Sequence, residues 1–331
     1  MDVLSDVLKA VRLTGAIFFE RHLQAPWVGE SPPSAAIASM VMPEAEHVIS
    51  FHAILSGSCW AALAGNPASD VRFNAGDIVI YPMGDANVLS SAPGMRGVPD
   101  LDQYCRPRGR PLPIVTRLDN DGSAYCHLVC GYFGCDARPF NPLLEALPRM
   151  LHSQMSAAGQ SWLTNMLRLA AEEAERGSAG SESLLAKLAE LMFVEVVRKY
   201  IVQLPEDSKG WLSGLKHRQI GHALRLIHAD PARPWTLAEL AHEVGLSRSV
   251  FAERFAHYVG VAPMHYVGRW RMQLAVRRLK IPGISVAQAG AEVGYESEAA
   301  FNRAFKKYVG VTPGSWRRGQ SLVRAEAATA F

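Results

Sequence analysis

Two groups of side chains in this sequence have types and spacings suited to chemistry. Lys306, Lys307, Arg317, Arg318, Arg269, Arg271, Arg277 and Arg278 lie within one 50-residue stretch, and cations gathered that closely suit contact with nucleic-acid phosphates. Such contacts position a protein on a duplex without reading its sequence. The second group is softer. Cys126, His127, Cys130 and Cys135 lie within ten residues, with Cys59 and Cys105 elsewhere and His47 and His52 on a nearby predicted strand. Thiolates and imidazoles bind zinc or copper(I), or the thiols pair as a redox switch. His52, Cys126, Cys130 and Cys135 are therefore the candidate metal or redox residues, with zinc the candidate ion. Buried, inert thiols are the plainer alternative. Cys126 and Cys130 are four apart on a predicted strand, which separates their Cα atoms by about 13 Å, beyond disulfide reach. No C-x-x-C pair, phosphate-binding glycine loop, G-x-S-x-G elbow or H-E-x-x-H pattern occurs.

Composition frames the elements that must position these groups. The chain has 331 residues, 34 Lys+Arg against 31 Asp+Glu, 49% apolar residues and 5 Cys, the make-up of about two globular domains. Charge is unevenly spread: residues 211–331 carry a net +9 and residues 1–210 a net −6. A basic module joined to an acidic partner domain fits a nucleic-acid-binding protein, and a solvated basic face is the bland alternative. Asp2, Asp6 and Lys9 interrupt the opening residues where a signal peptide needs an apolar core. The longest charge-free stretch, 47–69, is broken by Gly57, Gly65, Asn66 and Pro67, so no membrane span is expected. The expected location is the cytoplasm, where an odd cysteine count reads as reduced thiols.

The first 140 residues read as strands and turns with almost no helix. Examples are HVISFHAILSG (47–57), VRFNAGDIVIYP (71–82) and SAYCHLVCGYF (123–133), a pattern suited to a small β-barrel or sandwich. Gly76-Asp77 supplies a turn, and Pro82 removes a ladder donor and stops its strand. After about residue 140 the period becomes helical. One helix is expected over 161–175 and a second from Ser181 to Pro205, whose Leu184, Leu188, Leu191 and Met192 pack either on the barrel or against a second copy. A polar hinge over 205–214 follows.

The basic segment repeats itself at a spacing of 50 residues. Ser247, Phe251, Phe255, Tyr258, Gly260 and Pro263 recur as Ser297, Phe301, Phe305, Tyr308, Gly310 and Pro313, and AHEVGL (241–246) recurs as GAEVGY (290–295). Each copy reads as helix, tight turn, helix. Thr236 with Glu239 three residues on makes a capping box, Gly245 suits a left-handed turn, and Ser247 caps the next helix. Phe251 and Phe255, four apart, must face inward and leave Arg248, Ser249, Ala252 and Glu253 outward; Phe301 and Phe305 likewise leave Glu298, Ala299, Asn302 and Arg303. A basic helix over 264–280 joins the copies. Helices entering successive major grooves on one face of DNA sit about 34 Å apart, and two copies in one chain can meet that spacing alone. His217, His222 and His228 are expected at the surface or an interface, and Trp211, Trp235, Trp270 and Trp316 in the core.

From about Lys216 to Arg318 the chain closely resembles the DNA-binding domain of AraC/XylS-type transcription regulators, most clearly over GYESEAAFNRAFKKYVGVTPGSWRR (294–318). The resemblance implies that Ser249, Ala252 and Glu253 in the first copy, and Glu298, Ala299, Asn302 and Arg303 in the second, face bases. Arg248, Lys306 and Lys307 complete the expected DNA-binding set. On that footing Arg303 reads a guanine and Glu298 accepts from a cytosine amino group. Two departures stand out. Glu253 occupies a position where many members carry Arg, which points to different or water-mediated base contacts. Ala289-Gly290 replaces a bulkier Ile-Ala, which points to looser packing.

The N-terminal half resembles the cupin-type regulatory domain of a subset of these regulators, over FHAILSG (51–57), FNAGDIVIYPMGDAN (73–87), CGYF (130–133) and FNPLLEALP (140–148). The resemblance implies a β-barrel that holds a small-molecule effector and helices that mediate dimerisation. Enzymatic cupins hold a metal through histidines and carboxylates, and Asn87 stands where a histidine would follow Gly84-Asp85, which weighs against a catalytic metal. The expected architecture is therefore α+β. It comprises a cupin-like sensor barrel with flanking helices (1–140), a helical dimerisation segment (141–204), a linker (205–215), an all-α domain with two helix-turn-helix units (216–318) and a tail (319–331). The expected function is sequence-specific transcription regulation, not enzymatic catalysis. A homodimer binds double-stranded DNA, answers a small-molecule, metal or redox signal, and engages RNA polymerase if it activates. A cupin-fold enzyme and an architectural DNA binder without a sensor are the alternatives.

Overall fold

The computed structural model describes residues 2–105, 112–120, 122, 124–153, 165, 166, 168, 169, 172, 173, 176, 178–205 and 207–319. The chain divides into two compact units. One joins Leu13–Cys135 to Leu147–Val202, and the other joins Met1–Arg12, Asp136–Ala146 and Gln203–Phe331. No helix of the described residues is long and apolar enough to cross a membrane.

Among the described residues the first unit holds nine strands: β1 (Thr14–Gln24), β2 (Val28–Ser31), β3 (His47–Leu63), β4 (Val71–Asn74), β5 (Ile78–Tyr81), β6 (Asn87–Ser90), β7 (Ile114–Leu118), β8 (Tyr125–Cys135) and β9 (Leu151–Ser153). They form a curled sheet in the order β2-β6-β3-β8-β1-β7, with β4 and β5 also on β3, and β9 on β5. As the turn residues predict, Gly76-Asp77 separates β4 from β5, and β5 ends before Pro82. The organiser is β3. Its first part pairs with β8 and β5, and its last part with β4 and β6. Between them the register shifts at Ile54/Ser56, and Gly57 takes φ 76° where a Cβ would lie 1.9 Å from the Tyr125 carbonyl oxygen. Only glycine fits there, and bulge and glycine together curl the sheet.

Helix is more frequent before residue 140 than the strand-like pattern suggests. Asp2 caps α1 (Val3–Ala10) by accepting from the Leu4 N–H, and α2 (Ser34–Val41) lies beside β3. After α3 (Pro142–Ala146), the predicted helix over 161–175 falls largely outside the described residues. The 23-residue α4 (Ser181–Gln203) turns Leu185, Ala189, Met192, Phe193, Val196 and Val197 inward, with Phe193 at 4.9 Å from Phe133. The predicted stripe therefore divides: Leu188 and Met192 are buried, whereas Leu184 and Leu191 are 49% and 48% exposed.

The second unit is helical: α5 (Trp211–Lys216), α6 (Arg218–Ala229), α7 (Leu237–Glu243), α8 (Arg248–Val259), α9 (Pro263–Leu279), α10 (Val286–Glu292) and α11 (Glu298–Val309). Trp211 and Leu212 are buried at the start of α5, so the polar hinge is shorter than its composition implies. The unit also includes α1 and the segment around α3. Gln273, fully buried on α9, accepts from the Phe140 N–H at 3.1 Å and donates to the Ala10 carbonyl at 3.3 Å. Asp136 receives Arg12 at 2.6 Å and Lys280 at 3.1 Å. Two short pieces from the N-terminal half are thus part of the frame that holds α9.

Candidate functional site

The repeat forms two helix-turn-helix units as the residue pattern predicts. Thr236 with Glu239, and Ser285 with Gln288, make complete capping boxes on α7 and α10. Gly245 and Gly294 take φ 67° and 86° in the two turns, and Ser247 and Ser297 accept from the N–H groups of Val250 and Ala300 to start α8 and α11. Phe251, Phe255, Phe301 and Phe305 are all fully buried. That locks the rotation of each helix. Arg248, Ser249 and Glu253 are exposed and Ala252 half-buried on α8; Glu298, Ala299, Arg303, Lys306 and Lys307 are exposed and Asn302 half-buried on α11.

Several cations that suit phosphate contact by type are engaged inside the unit. Arg269 pairs with Glu145 and lies 4.1 Å from the Phe140 ring centre. Arg271 donates to the carbonyls of Pro231, Ala232, Arg233 and Gly294, so it clamps the chain before α7 to the second turn. Arg278 meets Glu292 at 2.6 Å, and Arg317 donates to the Ile284 carbonyl at 2.6 Å. Lys306, Lys307 and Arg318 stay exposed.

Two further expectations change. His217 and His222 are half-buried as surface residues can be, but His228 is a core residue. Its ring stacks on Trp270 at 4.1 Å and its Nε2 meets the Tyr266 hydroxyl at 2.9 Å; burial pushes its pKa down to about 3. Trp211, Trp235 and Trp270 are buried, whereas Trp316 is half-buried with Lys280 over its ring. Gly290 does not loosen the second copy. A Cβ there would sit 2.8 Å from the Phe301 ring, so the glycine admits a close approach of α11 to α10.

The first unit holds a cavity of about 210 Å³ lined by Phe19, Arg21, Trp27, His52, Tyr104 and Tyr132 among others. Its walls are aromatic and aliphatic and include the charged residues Arg21, Glu30 and Arg117; Arg21 lies 4.5 Å from the Phe19 ring centre and 2.5 Å from Gln103 Oε1. His52 on β3 stands opposite Cys130 on β8. Its Nδ1 lies 2.8 Å from the Cys130 sulfur and its Nε2 3.0 Å from Asn87 Oδ1. Asn87 donates onward to Ser50 Oγ at 3.1 Å. Both ring nitrogens of His52 are thereby satisfied in the neutral form, and burial holds its pKa near 4. The residue at the expected histidine position therefore acts as a hydrogen-bond partner.

The four candidate metal or redox residues do not converge. His52 and Cys130 meet, but Cys126 stands opposite Gly57 and Cys135 opposite His47, towards the two ends of β8. Residues four and five apart on a strand lie about 13–17 Å apart. The thiols are also in the wrong surroundings for redox chemistry, which needs a thiolate in an electropositive, accessible place. Cys59, Cys126, Cys130 and Cys135 are buried, and burial pushes the Cys130 thiol up to about 12. The hydrogen bond with Cys126 and burial push Cys59 far above the usual range.

A different set of ligand atoms does come together. Glu20, His22 and His127 bring one ligand atom each within 4.8 Å of the others. His127 stands out in the sequence only as a neighbour of cysteines. The missed signal is the alternation Glu20-Arg21-His22, which puts two donors on one face of β1. Burial raises the pKa of Glu20, but the hydrogen bond from His127 and the nearby imidazoles outweigh it and leave the carboxyl below its ordinary value. Burial and the neighbouring His127 lower the pKa of His22.

Comparison with known proteins accounts for both halves. Residues 2–202 match a cupin family and residues 240–319 a helix-turn-helix domain family. The chain is similar to the HTH-type transcriptional regulator AlkR of Acinetobacter baylyi, 30% identical over 96% of this chain and 99% of that protein. It is also 30% identical to an AraC-like transcription regulator of Streptomyces lividans, over 97% of this chain and 100% of that one. The RCS-specific HTH-type transcriptional activator RclR of Escherichia coli is 26% identical over 96% of this chain and 97% of that protein. Because the likeness runs through the cupin half and both helix-turn-helix units, the chain belongs to the AraC-type transcription regulators with an N-terminal cupin domain, which are DNA-binding regulators and not enzymes.

Proposed function

We propose that this regulator acts in the cytoplasm as a homodimer whose α8 and α11 enter successive major grooves, and that a small molecule in the cavity sets its activity. The observation that carries the DNA reading is the pair of locked helices. Identical buried phenylalanines fix their rotation, and each presents its own polar face: Arg248, Ser249, Ala252 and Glu253 on α8, and Glu298, Ala299, Asn302 and Arg303 on α11. Lys306 and Lys307 supply phosphate contacts, and Arg303 reads a guanine. The cavity, mostly aromatic and aliphatic with Arg21 among its charged lining residues, suits a compact molecule with an apolar body and an acceptor group that meets Arg21. Its strands β1 and β8 continue along the chain into Arg12 and Asp136 of the helical unit, and Asp136 pairs with Lys280 at the end of α9.

Dimerisation is supported by Leu184 and Leu191, exposed and seven apart on α4. The Leu184→Glu, Leu191→Glu double variant should run as a monomer by light scattering where the parent runs as a dimer. The DNA reading is tested by binding to the regulator's own upstream intergenic DNA and to random DNA at two salt concentrations, because phosphate contacts alone imitate affinity. A specific-to-random ratio of about 10³ or more is expected. A ratio near one at both salts would favour the architectural alternative, and RNA polymerase recruitment would then lose its basis.

A further inference from the structure

The β1–β8 pair carries a cluster that DNA regulation does not use, on the sheet face opposite the cavity. His22 stands directly opposite His127, and Glu20 lies two residues along β1. Strand alternation therefore turns all three away from Arg21, Leu128 and Cys130, which line the cavity. Glu20 Oε1 is the focus of both imidazoles, 2.8 Å from His127 Nε2 and 3.2 Å from His22 Nε2. The two rings stack with centroids 4.0 Å apart, and the Tyr125 hydroxyl lies 2.7 Å from His22 Nδ1. Glu20 is 1% exposed, yet its second oxygen, Oε2, has no hydrogen-bond partner. A buried carboxylate oxygen left unanswered is costly, and a cation shared with the two imidazoles would answer it.

We infer that Glu20, His22 and His127 form a binding site for a divalent first-row transition-metal ion, with zinc the ion expected, which ties β1 to β8. Two imidazoles and a carboxylate are the protein donors of three-ligand zinc sites that keep a fourth position open. Ligand atoms 2.0–2.2 Å from one tetrahedral ion stand about 3.4 Å apart. The two carboxylate–imidazole separations, 2.8 and 3.2 Å, lie within about 0.6 Å of that value, and all three ligand atoms lie within 4.8 Å of one another. Binding moves the proton of each neutral imidazole from Nε2 to Nδ1, so that Nε2 is free to take the ion and the ring stays neutral. On His22 the resulting Nδ1–H donates to the Tyr125 oxygen, the outer hydrogen bond that metal-bound imidazoles commonly make. This site stands apart from the His52–Cys130 pair, which faces the cavity.

The test uses the full chain, stripped with a chelator and titrated with zinc. Wild-type protein should bind one zinc ion per chain at micromolar or lower concentration and melt at a higher temperature when loaded, because an ion that binds only the folded state stabilises it. Glu20→Gln and His127→Gln should each lose about 100-fold in affinity together with that rise, a loss at least as large as outer-shell changes cause; Cys130→Ser should keep both. Cobalt(II)-loaded wild type reads the donors without any variant, and visible bands of a nitrogen–oxygen site without a thiolate-to-cobalt charge-transfer band are expected. The assignment is overturned by wild type that takes up no zinc at micromolar ion, by a thiolate band, or by retention of zinc in the Glu20→Gln, His127→Gln double variant. Should the variants fail to fold, wild-type stoichiometry and the cobalt spectrum decide alone. None of these outcomes touches the DNA-binding reading.

Discussion

In the first helix-turn-helix copy α8 is capped by Ser247 and buries Phe251 and Phe255; in the second α11 is capped by Ser297 and buries Phe301 and Phe305. What surrounds these identical parts differs. The Trp211 indole donates to the Tyr266 hydroxyl at 2.9 Å, His228 meets the same hydroxyl, and Tyr266 packs edge-on against Phe255. The second copy rests on an apolar set, Met272, Ala275, Val276, Leu279, Ala289 and Val293. Both sets draw on α9, its first half for one copy and its second half for the other. A shared beam lets the two cores diverge while α8 and α11 keep their rotation and carry different outward residues.

The largest test of that picture removes a phenylalanine from either side. Phe255→Ala and Phe305→Ala should each cost about 3–5 kcal/mol, as buried aromatic truncations do. Because α9 serves both cores, hydrogen exchange should show both copies loosened in either variant. Loosening confined to the mutated copy would mean that the copies fold independently and that α9 is only a connector.

Next in size is the difference between the outward faces. Arg303→Ala should cost about 1–3 kcal/mol on the cognate duplex and relax preference at one base pair. Ser249→Ala, at an exposed position of α8 without a charge to lose, should cost less than about 1 kcal/mol. Both are measured against a panel of singly substituted duplexes. Equal loss from Arg303→Ala on cognate and random DNA would make Arg303 a phosphate contact and leave the base reading to its neighbours.

A third comparison turns on one methyl group. Ala241 in the first copy is matched by Gly290 in the second, where the ring of Phe301 occupies the place of a side chain. Alanine is favoured over glycine in a helix by about 1 kcal/mol, but overpacking costs about 1–3 kcal/mol. Gly290→Ala should therefore destabilise the second copy in spite of propensity, and chemical denaturation reads the sign. A stabilised Gly290→Ala would show that α11 can move away from α10 without loss.

Much of this was legible in the sequence because it rests on local rules. Caps, turn glycines and phenylalanines four apart fix the helix-turn-helix units wherever they occur, and Gly76, Asp77 and Pro82 place a turn and a strand end. The rest depends on partners far away in the chain. Arg269 and Arg271 look like phosphate contacts until Glu145 and the carbonyls of residues 231–233 are in place. His228 looks like a surface residue until Trp270 lies on its ring. The thiols on β8 attract attention by density, yet strand geometry spreads them, whereas Glu20 and His22 meet His127 only because β1 pairs with β8 in this register.

The smallest expected effect separates what stabilises α8 from what it is for. The first residue of α11 is Glu298, an anion at the positive end of a helix, whereas α8 begins with the cation Arg248. For a helix alone Arg248 is the wrong sign. Arg248→Glu should raise stability by about 0.3–1 kcal/mol through the helix dipole. A cation there has a use only if an anion approaches, as a DNA phosphate does at a helix N-terminus. The same variant should therefore bind DNA more weakly, with a salt dependence shallower by at least about one unit of slope. Stability and affinity moving in opposite directions would assign Arg248 to the duplex, while higher stability with unchanged binding would leave the first copy to read DNA from Ser249 onward.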